Sequence, residues 1–245
     1  MDVTPEKLDQ YHSTYRRNSP FDDLLRNYTF RALRPFLPGP ESTILEIGCS
    51  NGLMTELLAK EVRKVVAVEG SLKFIDEVRS RKLANVELVH SVFEELQSEE
   101  MFDAAFATFI LTHVPDPKAF FSKLSNVLKP GGLAMIAVPN ARSVSRQLAQ
   151  ELGFVENLLD LTDNDLAHGH CVTFDRASLS RLIRSNGYEE LAQGGIMLKP
   201  FADFQMDEII AGGTLKDTHF EGLFRLGQRY PELAAVIYSV CCQKT

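Results

Sequence analysis

From Thr43 to Asn140 short apolar runs alternate with amphipathic stretches, and this alternation narrows the possible folds more than any other feature of the chain. The runs are "TILEIG" (43–48), "KVVAVEG" (64–70), "NVELVHS" (85–91), "FDAAFATFI" (102–110) and "LAMIAVPN" (133–140). Between them, "LMTELLAKE", "SLKFIDEVRSRKL" and "DPKAFFSKLSNVLK" have helical spacing. Strands with few polar interruptions are buried on both faces. The pattern therefore predicts a parallel sheet with helices on both sides, joined by right-handed crossovers.

The flanks of this region behave differently. Residues 1–42 are polar and helical in tendency and end in "PFLPGPES", which predicts an N-terminal helical cap. After Asn140 the alternation stops. Residues 141–172 predict an insertion that is partly helical, and "DRASLSRLIRSNG" a helix with Asp175 as N-cap and Gly187 just past its end. "YEELAQGGIML" reads as a strand, 199–231 as a second insertion, and "AAVIYSVCCQK" as a last strand. In the second insertion "EGLFRLGQRYPEL" predicts a helix packing on the sheet through Leu223, Phe224, Leu226 and Tyr230. All 245 residues are expected to form one domain.

Composition weighs against some partners. A net charge of −7 argues against broad binding to a nucleic-acid backbone and leaves room only for a local basic groove. Cys49, Cys171, Cys241 and Cys242 fit no zinc spacing and read as reduced thiols. The first residues, "MDVTPEKLDQYHSTYRR", lack the apolar centre of a secretory signal, and no apolar run is long enough for a membrane span. These features predict a cytoplasmic protein with no membrane partner, either a monomer or a homodimer.

The turn after the first run, "GCSNGL", has Gly48 and Gly52 but Ser50 between them and Leu53 where a dinucleotide loop has its third glycine. It also lacks a phosphate-binding lysine. Glu46 lies inside the first strand, where a carboxylate needs a donor or a cation. Glu69 ends the second strand, 21 residues after Gly48, the position from which an acid accepts ribose hydroxyls. A ligand with a ribose and positive charge but no phosphate satisfies all of this, and S-adenosylmethionine has those features. Gly48 and Gly52 would let the backbone pass close to its methionine portion.

At these residues the chain resembles the class I S-adenosylmethionine-dependent methyltransferases, in particular bacterial small-molecule members. "LEIGCSNG" is similar to their first motif and "VVAVEGS" to their second, with Glu69 as the ribose acid beside Gly70 and Ser71. "VELVHSVFEEL" is similar to the third, which places Val92 and Phe93 at the adenine. "FDAAFATFILTHVPDP" is similar to the fourth, which brings in Thr108, and "LKPGG" to the turn before strand five. Ser50 and Val92 depart from the family's usual glycine and aspartate. The resemblance implies a Rossmann-like α/β fold: a seven-stranded, mostly parallel sheet of order 3-2-1-4-5-7-6, last strand antiparallel, with helices on both faces. It implies S-adenosyl-L-methionine as cofactor and a small-molecule acceptor.

Ligands of such sheets bind beyond the carboxyl ends of the strands. Three stretches reach that edge. Tyr11 and Tyr15, four apart on one helix face, either close over the sulfonium as cation–π partners or anchor the helix. His113, just past strand four, is either a base or a structural cap. His168 and His170 in "DLTDNDLAHGHCVTF" point to one side if the segment is extended. They then serve as a general base, hold a metal together with Asp163 and Asp165, or sit in a solvated loop. The metal reading lacks further ligands at a familiar spacing, so no metal is expected. Methyl transfer to an oxygen or nitrogen of a small molecule (a sugar, a natural product or a metabolite) is the leading expectation. An RNA or protein methyltransferase and a non-catalytic S-adenosylmethionine-binding regulator are the alternatives.

Overall fold

The computed structural model describes residues 8–9 and 19–244. Its centre is a seven-stranded sheet of order β3-β2-β1-β4-β5-β7-β6. The strands are β1 (Thr43–Ile47), β2 (Lys64–Glu69), β3 (Val86–His90), β4 (Phe102–Thr108), β5 (Leu128–Pro139), β6 (Tyr188–Ile196) and β7 (Val236–Gln243). β7 runs antiparallel to both its neighbours, β5 and β6, and the other pairs are parallel. The helices are α1 (Pro20–Leu33), α2 (Leu53–Ala59), α3 (Leu72–Ser80), α4 (Pro117–Val127), α5 (Val144–Glu151), α6 (Asp163–Ala167), α7 (Arg176–Ser185), α8 (Asp203–Ala211) and α9 (Asp217–Arg229).

The apolar runs build two cores, one on each face of the sheet. Ile44 and Val65 join residues of α1, α2, α8 and α9 in one core. Leu45 and Ile47 join Phe120, Phe121 and Leu124 of α4 and Leu179 and Ile183 of α7 in the other. Burying a side chain of this size contributes about 1.5–3 kcal/mol. The alternation also decides where Glu46 goes. It shares a face with Ile44, under α1 and α2.

Local signals hold where they are self-contained. Asp175 caps α7 by accepting from Ser178 N at 2.8 Å, and Ser178 Oγ returns the contact to Asp175 N at 2.9 Å. Elsewhere the fold shifts boundaries. "LKPGG" turns inside β5 rather than before it: β5 begins at Leu128, opposite Phe102, residues 129–132 bulge out with Gly131 at φ 76°, and pairing resumes at Leu133 and Ala104. α9 starts at Asp217 and stops at Arg229, before Pro231. It buries Phe220, Phe224 and Gly227, whereas Leu226 and Tyr230 are exposed. Gly227 is there for contact: a Cβ would lie 2.3 Å from Met197 N, so the helix backbone rests on the end of β6.

α1 is fastened to the second insertion. Asp207 of α8 accepts from Ser19 Oγ at 2.9 Å and from Phe21 N at 2.9 Å. Tyr28 stacks on Phe224 with ring centroids 4.8 Å apart, and Arg31 pairs with Glu221.

Candidate active site

At the carboxyl edge of the sheet lies a cleft of about 990 Å³, a volume that includes the open space at its mouth. It forms where β1 and β4 lie side by side while their connections leave to opposite faces, the switch point at which such sheets bind ligands.

Glu69 is at the floor. Its Oε1 accepts from Ser71 N at 2.9 Å and its Oε2 from Ser50 N at 3.1 Å. Burial raises its pKa and these backbone donors oppose the rise. Each oxygen keeps lone-pair capacity toward the cleft. The turn that supplies Ser50 is bent into left-handed backbone at Gly48 (φ 79°), Ser50 (φ 46°) and Gly52 (φ 79°). At Gly48, whose N donates to Val68 O at 2.8 Å, a Cβ would meet Ile110 Cδ1 at 3.1 Å. At Gly52 a Cβ would come within 2.7 Å of Val78 Cγ2, so this glycine serves the packing of α2 on α3.

Gly48, Ser50, Glu69, Gly70, Val92, Phe93, Thr108, His113 and His168 all line the cleft. Glu46, Gly52, Ser71 and His170 do not line it. Ser71 stands behind Glu69, orienting it and capping α3 through Phe74 N. Tyr11 and Tyr15 lie outside the described residues. Sequence reasoning missed Arg26, Phe109 and Ile110, which also line the cleft. Arg26 Nε donates to Asp22 Oδ2 at 2.8 Å, and its guanidinium stands 5.4 Å from the centroid of the Phe109 ring. Phe109 has φ 63°, unusual for a bulky side chain.

Glu46 lies beneath the turn. Neither of its carboxylate oxygens has a hydrogen-bond partner among the described residues, and the same holds for Ser50 Oγ and Thr55 Oγ1. Burial pushes Glu46 up to about 8, the charge of Glu69 adds to this, and the charge of Arg26 opposes it. The folded protein at pH 7 therefore keeps a proton that the unfolded chain, near 4.5, has released. A raised acid stabilises at low pH, and that contribution is lost as pH rises from about 4.5 to about 8. Glu46→Gln should flatten the decline in Tm of ligand-free protein between pH 5 and 8. Equal slopes in both proteins would refute the buried, protonated carboxyl.

The acceptor side differs from the extended segment expected for 168–170. His168 closes α6, Gly169 is left-handed at φ 79°, and His170 N donates back to Asp165 O at 2.9 Å. The two rings therefore have separate partners. His168 Nδ1 donates to Asn164 O at 2.7 Å and His170 Nδ1 to Asp165 Oδ1 at 3.1 Å. His113, from the turn after β4, donates from Nδ1 to Gly169 O at 3.2 Å. A carbonyl can only accept, so this contact places the proton on Nδ1 and the free lone pair on Nε2. Burial lowers His113 to about 4, with the neighbouring His170 pushing the same way and the Gly169 carbonyl opposing. The two rings meet edge to face, their centroids 4.8 Å apart.

Among the described residues no group of three or more His, Cys, Asp or Glu is placed to hold a metal ion. Likewise, no helix there is long and apolar enough to cross a membrane.

The sheet order and the acid-floored cleft at its switch point define a nucleoside-binding α/β protein of the methyltransferase type. A family model described as a methyltransferase domain matches residues 15–193, and the chain belongs to this family, the class I S-adenosylmethionine-dependent methyltransferases. The ubiquinone biosynthesis O-methyltransferase of Xanthomonas campestris pv. campestris (strain B100) is 32% identical over 123 residues, 48% of this chain and 51% of the relative. The chain thus spans about half the length of that curated relative. Two solved structures share the fold. A DhpI–SAH complex has a TM-score of 0.63 at 17% identity, over 98% of this chain and 95% of that one. The [4+2]-cyclase SpnF has a TM-score of 0.63 at 16% identity, over 90% of this chain and 81% of that one.

Proposed function

We propose that this protein transfers a methyl group from S-adenosylmethionine to an oxygen or nitrogen of a small molecule. The observation that carries this reading is the pairing, in one cleft, of a carboxylate preset for a ribose with an imidazole whose lone pair is free. The residues present fit the cofactor. Glu69 would accept the ribose hydroxyls, Val92 and Phe93 would border the adenine, and the Gly48 backbone would lie along the methionine portion. The buried, unpartnered hydroxyl of Ser50 supplies a polar group that such a ligand would satisfy.

When bound, S-adenosylmethionine supplies a methyl group on a sulfonium, a good leaving group. The chain's own contribution is placement and proton handling. Holding the acceptor in line can be worth about 7–11 kcal/mol in the best cases. The proton on the acceptor oxygen or nitrogen passes to His113 Nε2 and then to solvent. His113 replaces His170 as the leading base because His113 lines the cleft and His170 stands behind it; His168, also on the wall, is the next choice. The likeness to a ubiquinone biosynthesis O-methyltransferase supports a small-molecule oxygen acceptor. The net charge of −7 weighs against an RNA acceptor.

A fold alone does not fix chemistry, so the test measures binding and turnover separately. Titration calorimetry should show S-adenosylmethionine binding more tightly than NAD or ATP. An S-adenosylhomocysteine-release assay over sugars, amines, phenols and carboxylic acids should then find a working acceptor. Tighter binding of NAD or ATP would overturn the cofactor assignment. Turnover only on RNA or protein would overturn the acceptor class, and binding without release on any acceptor would favour the non-catalytic regulator.

A further inference from the structure

His113 owes its tautomer to a backbone carbonyl 56 residues away, that of Gly169. That carbonyl sits in a strap, 162–171, whose shape is set by one side chain, Asp165. Asp165 Oδ2 accepts from Thr162 N at 2.9 Å, from Thr162 Oγ1 at 2.7 Å and from Arg146 Nη1 at 3.2 Å. Asp165 Oδ1 accepts from His170 Nδ1 at 3.1 Å. Arg146 itself is fixed by donating from Nε to Leu158 O at 2.7 Å. Beyond His170 the strap is tied to the His113 turn, since Cys171 N donates to Thr112 O at 2.8 Å. All three side chains of the network are largely buried, with 13% exposure for Asp165, 16% for Arg146 and 19% for His170.

We infer that Asp165 and His170 are positioning residues for His113: the carboxylate, braced by Arg146 and bonded to the His170 ring, folds the strap so that the Gly169 carbonyl accepts a hydrogen bond from His113 Nδ1–H, which keeps the proton on Nδ1 and leaves Nε2 free to accept a proton from the acceptor. The inference rests on the reading of His113 as base given above. Burial opposes ionisation of Asp165, but His170, Thr162 and Arg146 outweigh it and hold the carboxyl well below the usual carboxylate range. The network is thus intact throughout the neutral range. The titratable groups facing His113 are His170 and His168, and those facing Asp165 are His170 and Arg146.

The test begins with ligand-free protein, so it does not depend on a known acceptor. In nitrogen-15 histidine spectra at pH 7, His113 should appear with the proton on Nδ1. Asp165→Asn, which keeps an oxygen for Thr162 but turns an amide N–H toward His170, should give a mixture of His113 tautomers. His170→Ala should do the same. His170→Asn, which keeps a donor for Asp165, should restore the single tautomer. With a working acceptor, the first two variants should lose about 10- to 100-fold in kcat at unchanged S-adenosylmethionine affinity, and His170→Asn should recover most of it. An unaltered His113 tautomer in both Asp165→Asn and His170→Ala would overturn the inference. So would equal losses in His170→Ala and His170→Asn, which would mark a merely structural role. If the tautomer responds as expected but removing the His113 imidazole leaves kcat intact, the base assignment fails while the positioning of the ring stands.

Discussion

Glu69→Ala should weaken S-adenosylmethionine binding by about 10- to 100-fold. Hydrogen bonds to a charged group are worth about 1.5–3 kcal/mol, and each 1.4 kcal/mol is about tenfold in affinity. The side chain has a second task that adds to the loss. It accepts from Ser50 N at 3.1 Å and Ser71 N at 2.9 Å, so it also holds the glycine turn against the head of α3. Glu69→Gln should be no milder, because one amide end would present N–H to a backbone N–H. Calorimetric titration of both variants decides the point. Affinity equal to that of the parent would remove Glu69 from the ribose site.

His113→Asn should lower kcat by about 10²–10⁴-fold, with cofactor affinity scarcely changed. Asparagine can keep a donor for the Gly169 carbonyl but carries no basic nitrogen. The pH profile gives a second readout. A base works when unprotonated, so the rate should rise as pH climbs through the pKa of His113 and then level off. Sequence alone places that limb at the ordinary histidine value, about 6.5. Burial moves it down to about 4. The same shift has a stability consequence of defined sign. The unfolded chain binds this proton below about 6.5 and the folded chain only below about 4, so stability is lost as pH falls through that window. A limb near 6.5 that survives in His113→Asn would place the base elsewhere, with His168 next.

What could be read in the chain depended on how far each feature reaches. β1, β2 and β4 are legible because parallel strands buried on both faces must be apolar runs, whereas β3 is a part-exposed edge strand read from its place in the alternation; Glu69 and Gly48 are legible because strand ends fix their places at the sheet edge. Asp175 is legible as a cap because its partner, Ser178, is three residues away. The start of β5 at Leu128 was hidden by Pro130, Gly131 and Gly132, which read as a turn and bulge out of the ladder between the Leu128–Phe102 and Leu133–Ala104 pairs. The phase of α9 was set by Met197 pressing on Gly227, a contact between segments that share no local pattern. The acceptor wall was least visible. "HGH" invites an extended reading, yet the Asp165 network coils it, and its consequence falls on His113. Arg26 enters the cleft from α1, and no motif marks it.

The position of β7 has a consequence for how the molecule is made. The last strand of the sheet to leave the ribosome is an inner one, paired to β5 on one side and to β6 on the other. Until Val236–Gln243 emerge, β5 has an open flank and β6 has no partner in the sheet, so two rows of backbone donors and acceptors stay unpaired while the segments ahead of β7 are made. Vectorial growth can assemble the cofactor half early, but it cannot seal the sheet piece by piece. A nascent chain stalled before residue 236 presents adhesive edges, and the finishing residues act as a zipper that converts a loose half-product into a closed one.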